Sequence, residues 1–272
     1  MVSEKDECGV RRLEISAGRE TKQRGYDRRE LAYVLRIRKR QHWKTSVMEE
    51  WNLRMNKKMM KTKCNWRRQA RFGLAAHRDK GNKWERGNRM PRIYLSPSLQ
   101  EYNLYVNGGT EEEITNLIAD AMEPYLLASG IEFVRNRPEM SLGEAIAASN
   151  AGDFDLHVAI HTNAAPESLS GKLQGVDAYY FFDSRYGREM AELVAARLRE
   201  IYPDAQKVNT VPTATLRELR RTYAPTVLVE VGYHDNIEDA QWIKENIESI
   251  GRALAQSVTD YFGIPFQEPM IE

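Results

Sequence analysis

The chain has 272 residues and a formal net charge of only +1, but that charge cancels between unlike parts: residues 1–89 carry 26 Lys and Arg against 11 Asp and Glu, and residues 90–272 carry 14 against 28. Length alone allows one large or two small domains, since single cores stop growing near roughly 250–300 residues; composition reduces this to one, because the basic part scatters its apolar residues and buries too little surface to offset its ordering entropy. There is neither an apolar run of about 18 residues, as a membrane-spanning helix needs, nor the apolar stretch of a secretory signal near the N-terminus.

Residues 1–89 read as a basic segment of low order. Arg36, Arg38, Lys39, Arg40, Lys57, Lys58, Arg67 and Arg68, interleaved with Trp43, Trp51 and Trp66, have the make-up for contacting phosphates and stacking on bases. Against that stand a plain disordered tail and a segment that is not translated, since Met90-Pro91-Arg92 stands immediately before the first strand and makes Met90 a candidate initiator. Both cysteines, Cys8 and Cys64, fall in this segment, so no disulfide framework is expected in the core.

From Met90 the pattern becomes α/β, with an expected domain at 90–266 and a tail at 267–272. Ile93 to Leu95 predicts a short strand ended by Ser96-Pro97-Ser98, followed by a polar loop with Asn107-Gly108-Gly109. Thr110 is an N-cap candidate before Glu111, Glu112 and Glu113, and apolar residues at Ile114, Ile118, Ala121, Met122, Tyr125 and Leu126 recur at helical spacing until Gly130. Ile131 to Val134 predicts a strand, Leu142 to Asn150 a short helix, Leu156 to Ile160 a strand and Val176 to Phe182 another. Glu189 to Ile201 is amphipathic, Thr226 to Val231 is a nearly continuous apolar run, and Asp239 to Phe262 has helical spacing to the end. The expected fold is a mainly parallel twisted sheet with helices on both faces, with function in loops at the carboxyl ends of strands.

Two residues stand where such a sheet places its chemistry. His161 ends a strand in Val158-Ala159-Ile160-His161-Thr162-Asn163, and a neutral imidazole there suits zinc, although a hydrogen-bonded structural histidine is the plainer reading. Glu230 interrupts the apolar run Val227-Leu228-Val229-Glu230-Val231, where a carboxylate costs several kcal/mol to bury without a partner or a raised pKa. It reads either as a buried ion pair, for instance to Arg135, or as a general base. His157 lies on the same strand and face as His161 but about 13 Å back by strand rise, and reads as structural.

These residues resemble the catalytic domain of the N-acetylmuramoyl-L-alanine amidases, in which one strand ends Ser-Ile-His-x-Asn and a later one reads Leu-Val-Glu-x-Gly-Phe, then a short step to Asn. This chain has Ala159-Ile160-His161-Thr162-Asn163 and Leu228-Val229-Glu230-Val231-Gly232-Tyr233, with Asn236 at that step. Arg135, Ser149-Asn150, Gly175 to Tyr180, and Leu216-Arg217 before Ala224-Pro225 agree in order and spacing.

The resemblance implies a zinc-dependent hydrolase that cuts the amide between N-acetylmuramic acid and L-alanine in peptidoglycan. It implies Glu230 as general base, His161 and Glu111 as metal ligands, with Glu112 as alternate for the latter, and Asn163 and Arg135 against substrate. One departure stands out: the family's first strand ends Asp-Pro-Gly-His, and this chain reads Ser96-Pro97-Ser98-Leu99. Gln100 and Glu101, next in the loop, are candidates to fill the missing histidine's place, Glu101 being the better zinc ligand by charge, and His234, four residues past Glu230, is a second candidate as ligand or proton donor; if none does, the alternative is a catalytically impaired protein that binds peptidoglycan. The acidic balance of residues 90–272 argues against nucleic acid as partner of this part. A soluble protein, cytoplasmic as synthesised, is the expectation, reaching the wall by lysis, in sporulation or by nonclassical release.

Overall fold

The computed structural model describes residues 89–270. The expectations for the basic segment fall outside the described residues, Arg89 apart. Six strands form one sheet: β1 Arg92–Pro97, β2 Glu132–Arg135, β3 Leu156–Asn163, β4 Val176–Phe181, β5 Val208–Thr213 and β6 Thr226–Tyr233, in the order β2-β1-β3-β6-β4-β5. β2, β1, β3 and β6 run parallel, as do β4 and β5, and the two sets meet antiparallel where β4 pairs with β6. The mainly parallel sheet is therefore observed, with one antiparallel seam that hydrophobic patterning does not encode.

Helices α1 Glu111–Ala128, α2 Leu142–Ala151, α3 Arg185–Arg199, α4 Arg217–Arg221, α5 Ile237–Glu245 and α6 Ile247–Phe262 accompany the strands. Because side chains alternate along a strand, each face has its own partners. Ile93, Leu95, Leu156, Val158, Ile160, Val227, Val229 and Val231 share the main core with Ile118 and Met122 of α1, Val194 and Leu198 of α3 and Leu254 and Val258 of α6. On the opposite face Ala159 and Leu228 meet Leu219 of α4, with Tyr179, Phe181 and Leu216 against them. β3 and β6 are buried on both faces, which is why they read as nearly unbroken apolar runs.

The caps explain the helix limits. Thr110 accepts a hydrogen bond from the Glu113 amide and starts α1, while Ser141 and Glu144 form a reciprocal capping box on α2. The single closing helix expected from Asp239 to Phe262 is instead two, broken at Asn246, whose side-chain amide donates to the Trp242 carbonyl at 2.8 Å. Asn236 caps the first of them through the amides of Glu238 and Asp239, and Gly263, at φ +64°, closes the second. α1 and α6 cross where Gly251 faces Ala121: a Cβ on Gly251 would lie 2.5 Å from that of Ala121.

β5 and α4 were not expected from the sequence. β5 is an edge strand interrupted by Pro212, a residue tolerated at edges because it lacks a ladder donor. α4 has five residues, too few to show a helical period. In the tail, Gln267 donates to Ser129 and Arg252 pairs with Glu268. No described helix is long and apolar enough to cross a membrane.

Candidate active site

β3 and β6 place His161 and Glu230 opposite each other in register. Both side chains lie on the α4 face of the sheet, following Ala159 and Leu228 by two residues. Glu230 has one carboxylate oxygen, Oε2, that is buried and without a hydrogen-bond partner. Burial pushes its carboxyl up to about 7; His161 opposes the shift, and the charges of Glu111 and Asp177 add to it. The ion pair to Arg135 is not made. The Arg135 guanidinium donates instead to Asp120 (2.6 Å), Glu123 (2.9 Å) and the Asn116 carbonyl (2.9 Å), tying the end of β2 to α1.

Glu111, the first residue of α1, is fully buried and reaches the same strand end. Its Oε1 stands 2.9 Å from His161 Nδ1 and accepts from the Thr162 amide at 3.3 Å. Its Oε2 accepts from Asn103 Nδ2 at 2.7 Å, and Gln100 Nε2 stands 3.5 Å from Oε1. Burial opposes its ionisation, but the bonds from His161 and Asn103 outweigh this and hold the carboxyl below its ordinary range. Of the glutamates that open the helix, Glu111 is the one the fold brings to His161; Glu112 is half-buried one position on.

The other candidates point elsewhere. Glu101 is exposed and bonds to Tyr102. His234 is buried, with Nδ1 3.1 Å from both the hydroxyl and the carbonyl of Thr162, and its ring lies against Tyr105. Asn163 accepts from the next amide, that of Ala164, at 2.9 Å. At the end of β1, where the missing histidine would stand, the Ser96 hydroxyl donates to Glu218 at 2.6 Å and the Ser98 amide donates to the Ile160 carbonyl at 2.9 Å.

Glu218, on α4, was not singled out from the sequence. One of its oxygens lies 2.9 Å from His157 Nε2 and the other 3.6 Å from His161 Nε2. Burial opposes its charge, but the bond from His157 and the closeness of His161 prevail and hold the carboxyl far below its usual range. The two histidines, four residues apart on one strand, thus both lie against a carboxylate from another element.

His161 therefore has a carboxylate on each side of its ring. Burial disfavours its charge, yet the bond to Glu111 and the nearby carboxylates of Glu218 and Glu230 lift its pKa to about 10. A neutral imidazole has one N–H and cannot donate to both neighbours; a cation at the Nδ1 edge would replace the second proton. His161 Nδ1 and Glu111 Oε1, 2.9 Å apart, suit two corners of a tetrahedral zinc site, whose N–O edges are about 3.3 Å. Among the described residues no group of three His, Cys, Asp or Glu side chains is arranged to hold a metal. The residues present thus fit two of the three protein ligands of a catalytic zinc.

Residues 100–260 match the family model of N-acetylmuramoyl-L-alanine amidase. The chain is 26% identical over 183 residues to the N-acetylmuramoyl-L-alanine amidase LytC of Bacillus subtilis, covering 62% of this chain but 35% of that protein, so it spans about a third of the length of this relative. Its fold is similar to that of the N-acetylmuramoyl-L-alanine amidase AmiC2 of Nostoc punctiforme, with TM-score 0.58 and 20% identity, over 65% of this chain and 99% of that one. It is also similar to the CwlD amidase of Clostridioides difficile, solved in complex with the GerS lipoprotein, with TM-score 0.56 and 16% identity, over 64% of this chain and 98% of that one.

Proposed function

Because the chain belongs to the N-acetylmuramoyl-L-alanine amidase family, we propose that residues 90–266 hydrolyse the amide between N-acetylmuramic acid and L-alanine in peptidoglycan, with zinc as cofactor. The observation that carries this reading is the carboxylate of Glu230, with one oxygen buried and without a hydrogen-bond partner, beside His161 at the ends of two adjacent strands.

His161 and Glu111 would hold the zinc, which supplies Lewis acidity toward water and toward the scissile carbonyl. Glu230 accepts the proton of the attacking water and returns it to the departing amine, a role for which a carboxyl near neutrality is suited. Asn103 and Gln100 hold Glu111 from the loop side, and Thr162 fixes it from the strand. Asn163, at the rim, is available to substrate.

A second reading, a peptidoglycan-binding protein with impaired chemistry, is favoured by one observation: the end of β1 offers Ser96, Ser98 and Leu99 in place of a histidine ligand. Zinc content and amine release from muropeptides, measured on the full chain and on Glu230→Gln, separate the two. Near-stoichiometric zinc with release abolished in the variant is the expected result. Binding of muropeptide without release from the unsubstituted chain would establish the second reading.

A further inference from the structure

Glu218 follows Leu216-Arg217 directly and is not itself among the residues that carry the family likeness, yet its carboxylate meets side chains of both β1 and β3. Its Oε1 accepts from the Ser96 hydroxyl at 2.6 Å and meets His157 Nε2 at 2.9 Å. His157 is held in turn by Ser149 Oγ, 2.9 Å from Nδ1, and stacks on Tyr94 at 5.2 Å between ring centroids. A neutral His157 that donates from Nε2 to Glu218 and accepts the Ser149 hydroxyl at Nδ1 satisfies both contacts.

Ser149, His157 and Glu218 have the make-up of a nucleophilic triad, but they are 2%, 0% and 3% exposed, so no substrate reaches the serine. The network opens only at its other end, where Glu218 Oε2 stands 3.6 Å from His161 Nε2. That ring nitrogen has no hydrogen-bond partner and is buried. With Oε1 held by two partners the carboxylate cannot turn away, and the oxygen left over faces His161.

We propose that Glu218 is a positioning residue for His161: its free oxygen, 3.6 Å from Nε2, is the acceptor toward which the Nε2–H points, which keeps the proton on Nε2 and directs Nδ1 toward Glu111. A histidine that binds metal through one nitrogen commonly donates its other N–H to a carboxylate, which fixes the tautomer and raises the basicity of the ligating nitrogen. In a site with two evident ligands, the orientation of one of them matters more. The metal arm of this inference rests on the zinc reading above; the orientation of the ring does not.

The test uses the full chain and two readouts. Zinc affinity by chelator competition is expected to fall about 10- to 100-fold in Glu218→Gln, to fall by less in Ser96→Ala, which loosens Glu218 without touching His161, and to be unchanged in Glu139→Gln, an exposed control. Nitrogen-15 spectra of the imidazole in the metal-free chain are expected to show a protected Nε2–H on His161 that Glu218→Gln loses. Unchanged affinity and a retained Nε2–H in Glu218→Gln would overturn the proposal, whatever the variant does to the melting temperature. If the unsubstituted chain takes up no zinc, the zinc reading fails and the imidazole spectra alone decide about Glu218. If Glu218→Gln does not fold, Ser96→Ala carries the same test, with unchanged affinity and spectrum as the overturning result.

Discussion

His161 and Glu230 are register partners on adjacent parallel strands, so the imidazole and the carboxylate are held side by side by the backbone ladder itself. Glu230→Gln keeps the shape and removes the base; amine release from muropeptides is expected to drop by about 10²- to 10⁴-fold, with muropeptide binding retained. A drop of less than tenfold would assign the proton transfer to another group.

The same carboxyl sets a pH dependence of stability in the metal-free chain. Its pKa rises on folding from 4.5 to about 7, so the folded state binds the proton more tightly. Its stabilising effect is complete below 4.5, declines between 4.5 and about 7, and is gone above. Unfolding measured in chelator is therefore expected to show Glu230→Gln more stable than the unsubstituted chain at pH 8, by on the order of 2 kcal/mol, and equal to it at about pH 4. The reverse order would mean that the ionised carboxylate has a partner in solution.

Glu111 and Glu112 make a discriminating pair, because one turns to His161 and the next does not. Chelator competition is expected to show zinc binding at least about tenfold weaker in Glu111→Gln and unchanged in Glu112→Gln.

Arg135 spends its guanidinium on Asp120, Glu123 and the Asn116 carbonyl. Arg135→Ala is expected to cost about 1–3 kcal/mol by removing the bonds its guanidinium makes to Asp120, Glu123 and the Asn116 carbonyl, read as a lower melting temperature with KM unchanged. A rise in KM without loss of stability would give the arginine to the substrate instead.

The α1–α6 crossing is set by the absence of a side chain at Gly251. Gly251→Ala puts a Cβ 2.5 Å from that of Ala121 and is expected to destabilise by about 1–3 kcal/mol, as overpacking does. Thermal unfolding reads this directly, and a variant as stable as the parent would show that the helices can separate without cost.

Most of the sheet was legible in the sequence because strands buried on both faces leave apolar runs, and Leu156 to Ile160 and Thr226 to Val231 are such runs. His161 and Glu230 were visible for the same reason: a titratable residue in an apolar run stands out. Glu111 could be placed only through the family resemblance, with Glu112 beside it as alternate, because three successive glutamates at a helix start carry no pattern that separates them. The antiparallel β4–β6 seam, the break at Asn246, and the short α4 left no comparable mark, because pairing direction and a single-turn helix have no period to detect. Glu218 was hidden for that reason, and with it the partner of His157, which reads as structural from the sequence; so was the use of Arg135 by α1. The sequence by itself determined which side chains carry chemistry along each strand; only the tertiary structure decided that Glu218 bridges two histidines, because that contact joins α4 to β3 across a span no local pattern records.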